Sequence, residues 1–321
     1  LSQAAGLYVL LNAAVAAVSL WAARAQLHKR RLLERETGTP LQVGPVLRGT
    51  MSLWFIQWAW LISNQFDRLF IGSTLSLQEL TLYAVPAGLL MRLQAIPQTV
   101  SGVVVPMVSE LSGPETEEGL SRMYLKSVRA VLWAVLPALV LLFCLMPQFL
   151  TLWLGPEFGM RSVWPARLLV LGHSAGLLAY MPSTVAYGRH RPHIPSLAAW
   201  TQALISMAAW CLLIPRLGIL GVALGFLIGQ LVPMPFLLFF VHRRLLHLSS
   251  KRFARESLAP PLASAALLLA FVFPLHAWAG TWARLFGLSA LGLVLFYGST
   301  WRFMSSADRG LIKGFLRYRA A

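Results

Sequence analysis

Acidic side chains are scarce in this chain: 11 Asp and Glu stand among 321 residues, against 27 Lys and Arg. Carboxylate acid–base catalysis and hard-metal chemistry both need acids that converge, and these are scattered. Cysteine is scarcer. The two residues, Cys144 and Cys211, fall inside apolar runs with no CxxC or Cys/His spacing, so metal and redox roles are set aside and buried packing is expected for both. Low-complexity segments are absent, as is a Met followed by a basic leader. Leu1 is not an initiator residue, and the chain is expected to be entered just outside its first apolar run.

What is abundant is apolar. Hydrophobic residues make up 57% of the chain, charged residues 12%, and the mean hydropathy is +0.67, well beyond the usage of a water-soluble domain. A helix needs about 20 apolar residues to cross the hydrocarbon of a bilayer. Nine runs approach that length, near 4–22, 46–66, 82–106, 130–150, 163–187, 195–214, 219–241, 258–276 and 282–300. None alternates with the period of two that a barrel strand requires. The expected class is an all-α polytopic membrane protein with about nine transmembrane helices.

The net charge of +16 is sorted by side. Alternate links hold 21 of the 27 basic residues, among them Arg30 and Arg31, Arg122 and Lys126, Arg189 and Arg191, Arg243 and Arg244, and Lys313 and Arg317. That asymmetry marks those links as cytoplasmic, and it argues against nucleic acid, which would call for a basic patch on a folded polar surface. The outer links, near 72–81, 154–161, 215–218 and 276–281, are all short. The amphipathic end GLIKGFLRYRAA suits the anionic inner leaflet or another assembly protein.

Polar residues inside the runs are the functional candidates. Thr50, Gln57, Asn64 and Arg68 form a narrow stripe on one helix, and lipid cannot satisfy such a stripe. In the next run Arg92 lies roughly 18 Å from the outer boundary, a costly place for a charge, at about 2.5–3.5 kcal/mol on insertion scales. It shares a face with Gly88 and Thr99, while Gln94, Gln98 and Ser101 lie opposite. Arg92 therefore either contacts substrate or caps backbone broken near Pro86 or Pro97.

The segment DRLFIGSTLSLQELTLYAVPAGLL, followed by PQTVSGVVVPMVSEL, resembles the start of the second lobe of bacterial polysaccharide flippases of the Wzx type, in the multidrug/oligosaccharidyl-lipid/polysaccharide exporter superfamily. FLTLWLGPEF is similar to the family's Gly-Pro-Glu outer turn, and IPRLGILGVALGFLIGQL to its Gly-rich entry to a later helix. The likeness extends over most of residues 46–245. It departs from the pattern where a Gly often precedes the Tyr, for here Thr81 and Leu82 precede Tyr83.

The resemblance implies two inverted-V lobes of fourteen helices around a cavity, the nine runs matching helices six to fourteen. Residues 1–45 would then be the last helix of the first lobe and a cytoplasmic linker. Residues 46–245 would form the second lobe, and residues 246–321 two additional helices with a basic tail. It implies a bacterial inner-membrane flippase that moves a polyprenyl-pyrophosphate-linked oligosaccharide outward with no covalent step and no cofactor beyond an H⁺ or Na⁺ gradient. Arg92, Arg68, Asn64, Gln57 and Thr99 are then the expected substrate contacts, and Asp67, Glu110 and His173 the coupling-ion candidates. A drug antiporter of the same superfamily would carry acids within its spans. An integral-membrane polymerase or glycosyltransferase would need a sizeable acidic outer loop. A cell-wall-precursor flippase differs only in its sugar.

Overall fold

The computed structural model of the chain describes residues 43–110 and 117–303. The first apolar run, most of the basic link that follows it and the amphipathic tail lie outside the described residues. The chain divides after Met51 into two compact units, and every contact given below lies within the second.

All regular elements among the described residues are helical. They are α1 (Val43–Thr74), α2 (Leu77–Leu93), α3 (Ala95–Glu110), α4 (Glu117–Leu154), α5 (Pro156–Gly188), α6 (His193–Leu217), α7 (Ile219–Leu231) and α8 (Pro233–Arg244). After them come the short α9 (Ser250–Phe253) with a π-turn at Ala254–Leu258, α10 (Ala259–Leu275) and α11 (Trp282–Phe303). Among the described residues six stretches are long and apolar enough to cross a membrane, corresponding to the last six runs of the sequence. The protein is thus an all-α multi-pass membrane protein. The run 46–66 belongs to a longer, more polar helix, and the run 82–106 is broken at Gln94 rather than continuous.

Proline places that break. The ring of a proline clashes with the carbonyl four residues earlier and offers it no N–H, and Leu93 stands four residues before Pro97. α2 stops at Leu93, the Gln94 N–H turns back to the Met91 carbonyl at 3.2 Å, and the helix restarts at Ala95. α7 and α8 are likewise parted at Val232, immediately before Pro233, which begins α8. In α4, Pro147 leaves the Phe143 carbonyl without its helical donor. Arg167 of α5 answers it, its Nε–H donating to Phe143 O at 3.3 Å while the guanidinium lies 5.5 Å from the rings of Phe143 and Trp164. Repair of broken backbone, expected as one role for Arg92, is carried out by Arg167.

Three of the four outer links are shorter than the sequence suggests, and the fourth, 276–281, has the expected length. Only Leu75 and Ser76 separate α1 from α2, only Gly155 separates α4 from α5, and only Gly218 separates α6 from α7. Gly155 and Gly218 have φ of +96° and +56°, where a Cβ is strained, so one residue completes each reversal. At the outer end Ser76 Oγ accepts from the Glu79 N–H at 3.2 Å, and Arg161 pairs with Glu79 and, at 3.7 Å, with Glu157. At the opposite end Arg252 bridges Glu118 and Glu256 at 2.8 and 3.0 Å. These pairs are exposed, and water screens them so that they contribute little to stability.

The helices of the main core approach closely because of small residues. Gly221, Gly225 and Gly229 recur every fourth position along α7 and face α6. A Cβ on Gly225 would meet Trp210 Cδ1 at 2.4 Å, and one on Gly229 would meet Ser206 Oγ at 1.9 Å. On the other flank Phe226 presses into Gly172 of α5, where a Cβ would meet its ring at 2.6 Å. Trp210 is fully buried and donates Nε1–H to the Val222 carbonyl at 3.1 Å. α10 and α11 build a second core with α4 around Cys144, Leu268 and Phe296. Cys144 is buried as expected, but Cys211 is exposed, because it lies on the outward face of α6, where apolar residues face lipid.

Gly225→Leu is expected to overpack the α6–α7 contact and cost about 1–3 kcal/mol. Gly298→Leu, where nothing lies within 4 Å of the added Cβ, should leave thermal unfolding in detergent unchanged. Equal melting temperatures for the two variants would refute the close-approach account.

Candidate functional site: a polar cavity at two helix breaks

A cavity of about 590 Å³ opens where the bundle is broken, within the 300–1,000 Å³ common for small-ligand sites. α1 contributes Gln57, Trp60 and Ser63, and the α2–α3 break contributes Gln94, Gln98 and Ser101. α5 supplies a long wall that includes His173, Tyr180, Ser183, Thr184 and Tyr187. Gln202 comes from α6, and Gln230 comes from α7, just before its own break. Among the described residues no Asp, Glu, Lys or Arg lines it.

The polar groups are cross-linked. The Gln94 amide donates through Nε2 to His173 Nδ1 at 2.9 Å and accepts at Oε1 from the Tyr180 hydroxyl at 3.0 Å. An amide nitrogen can only donate, so His173 Nδ1 is the accepting atom of this contact. The ring packs 5.0 Å from that of Phe226. The Thr184 hydroxyl lies 2.8 Å from both Ser101 Oγ and the Tyr180 carbonyl. The break at Gln94 is therefore held to α5 by side chains rather than left loose. What remains is a surface of amides, hydroxyls and aromatic faces that donates and accepts at many points. Among the described residues no group of three or more His, Cys, Asp or Glu is placed to hold a metal.

The expected site residues divide. Gln57 and His173 line the cavity. Arg92 and Thr99 are exposed and outside it, and Arg92 has no hydrogen-bond or ionic partner among the described residues. The backbone of Asn64 is helical, and its side chain lies outside the described residues. Glu110 is exposed at the end of α3.

Asp67 and Arg68 lie away from the cavity. Asp67 is 5% exposed, on a buried stripe of α1 with Ala59, Ser63 and Ile71. Its Oδ2 accepts from the fully buried Tyr83 hydroxyl at 2.8 Å and its Oδ1 from the Arg68 N–H at 2.7 Å. Arg68 packs its Nη2 3.7 Å from Met91 Sδ, and its Nε is buried without a partner. The opening pair of the DRLF motif thus splits between two tasks. Asp67 clamps α1 onto α2, and Arg68 lies in the angle between them.

Tyr180, Thr184, Gln202 and Gln230 were missed in the sequence. The signal was there, since an amide in an otherwise apolar run must face protein or water.

Comparison with known proteins agrees with this architecture. Residues 43–160 match the model of a family described as polysaccharide biosynthesis protein. A Shigella flexneri protein whose name assigns it to O-antigen transport is 21% identical over 160 residues, which are 50% of this chain and 38% of that protein. Among solved structures, the lipid II flippase MurJ in its inward closed conformation superimposes with a TM-score of 0.54 at 16% identity. That alignment covers 75% of this chain and 52% of MurJ, so the chain spans about half the length of that flippase and less of the curated relative. The three together bear out the resemblance to polysaccharide flippases read from the motifs, and the superposition shows a shared fold.

If the Asp67–Tyr83 clamp holds α1 to α2, Asp67→Ala and Tyr83→Phe should each destabilise the protein, by about 1–3 kcal/mol for the group left unpaired. The double variant should cost clearly less than the sum. Additive losses in a thermal double-mutant cycle would remove the clamp from the account.

Proposed function

We propose that this chain is the second-lobe portion of a flippase that moves a polyprenyl-pyrophosphate-linked oligosaccharide from the cytoplasmic to the outer leaflet of the bacterial inner membrane. The observation that carries the reading is the cavity: polar, aromatic and, among the described residues, free of ionised side chains, inside an otherwise apolar bundle. Sugar hydroxyls are recognised by amide and hydroxyl groups that both donate and accept, and sugar faces by aromatic rings. Gln57, Gln94, Gln202, Gln230, Trp60 and Tyr180 supply both. The names of the similar proteins, one for O-antigen transport and one for lipid II, point to the same class of cargo.

The alternatives fit the cavity less well. A cation-exchanging drug antiporter would place a carboxylate in it, and a glycan polymerase would need acids or a metal beside the sugar. We assign the neutral saccharide to the cavity and the pyrophosphate to arginine outside it. Arg92, exposed and unpaired on the other face of the broken helix, is the group we place on the translocation path, with residues 46–245 acting as one lobe. Of the three coupling candidates only His173 reaches the cavity, and we assign to it any proton that accompanies the substrate.

The two arginine chemistries separate by substitution in the full-length protein. Arg92→Gln removes the charge and should abolish polysaccharide export at normal membrane abundance, whereas Arg92→Lys keeps the charge without the planar fork and should retain part of it. A Gln variant that accumulates and exports normally would contradict the assignment of Arg92.

A further inference from the structure

The turn between α5 and α6 reads Gly188, Arg189, His190, Arg191, Pro192, His193. α5 closes there with a Schellman-type cap: the His190 N–H donates to the Tyr187 carbonyl at 3.0 Å, and the Arg191 N–H to the Ala186 carbonyl at 2.8 Å. His190 has φ of +53°, in the position that glycine usually takes. The chain reverses within four residues, and two arginines and two histidines crowd a single corner.

That corner borders the cavity. Tyr187, two residues before Arg189, and Pro195, two residues after His193, both line it. The basic links place this end on the cytoplasmic side. Backbone contact fixes the position: Ser109 Oγ of α3 donates to the Gly188 carbonyl at 3.1 Å, and a Cβ at Gly188 would meet Val108 at 2.5 Å.

Arg189 is the residue that charge sorting does not explain. A positive-inside link needs only solvated charge, yet Arg189 is half-buried, and its Nε and Nη2 are shielded from solvent without an acceptor. Buried donors left unpaired are costly. Among the described residues no carboxylate is paired with Arg189 or Arg191. A guanidinium held at a cavity mouth with two free donors is shaped to receive an oxyanion, which a planar fork binds in bidentate fashion.

We propose that the Arg189–His193 turn is an anion site at the cytoplasmic mouth. Arg189 and Arg191 receive the pyrophosphate of the lipid-linked substrate there while its saccharide enters the glutamine-lined cavity. The inference rests on the flippase reading above and adds an entry station to it. The same phosphate-ester chemistry occurs in anionic lipid headgroups, and the test separates the two sources.

The full-length protein in phosphatidylcholine nanodiscs is titrated with farnesyl diphosphate. Arg189→Gln with Arg191→Gln should weaken binding about tenfold or more. Arg189→Lys should recover part of it, and Lys251→Gln with Arg255→Gln, on another inner link, should leave it unchanged. Because Gln removes an unpaired buried cation, the melting temperature of ligand-free Arg189→Gln should stay level or rise, and a fall would make Arg189 structural and overturn the site. Wild-type binding that survives the double substitution would overturn the site and spare the flippase reading. Absence of wild-type binding would overturn both. Displacement of farnesyl diphosphate by an equal mole fraction of phosphatidylglycerol would make the turn a headgroup site and overturn its assignment to the substrate.

Discussion

A proline in a membrane helix frees a carbonyl that hydrocarbon cannot satisfy, so the chain around it must turn toward protein or water. The arrangement of this bundle depends on that constraint. Pro97 parts α2 from α3, and α7 parts from α8 immediately before Pro233. At each break a glutamine, Gln94 or Gln230, faces the same cavity. At Pro147, inside α4, the freed Phe143 carbonyl is instead met by Arg167. Broken helices facing a shared polar space are a recurring arrangement in transporters, where irregular backbone is tolerated because it lines a cavity.

Around these breaks the rest of the fold is tight. The glycine stripe of α7 lets α6 approach to contact distance on one side, while Phe226 fits against Gly172 on the other. α1 is attached through specific contacts, among them Asp67 with Tyr83 and Phe70 with Trp210, whose ring centroids are 5.7 Å apart. One wall of the cavity is thus carried by a helix that these contacts tie to α2 and α6, and the opposite wall, α5, is packed on several sides.

Much of this was legible in the sequence, and the exceptions have physical reasons. The last six apolar runs match the six stretches that, among the described residues, are able to span a membrane, because length and hydropathy are local properties. The break at Gln94 was hidden inside a continuous apolar run, although Pro97 marked it. Three of the outer links were overestimated, two of them because a single glycine with positive φ reverses the chain, at Gly155 and at Gly218. Gln57 and His173 were found because a polar residue on an apolar helix is conspicuous. Arg92 was more conspicuous still and lies outside the cavity. The roles of Arg167 and Arg189 depend on a distant carbonyl and on the packing of α3 against Gly188, which no local pattern reports.

The central claim is that the uncharged cavity between α1, α5 and the two helix breaks holds the saccharide during transport. The most direct test is site-specific photocrosslinking in cells that make a radiolabelled lipid-linked oligosaccharide. A benzophenone side chain replaces Ala199, which lines the cavity, or Leu197, 71% exposed on the same helix and outside the cavity. The account predicts capture of labelled glycan at Ala199 and none at Leu197. Equal capture at the two positions, or capture at Leu197 alone, would contradict it.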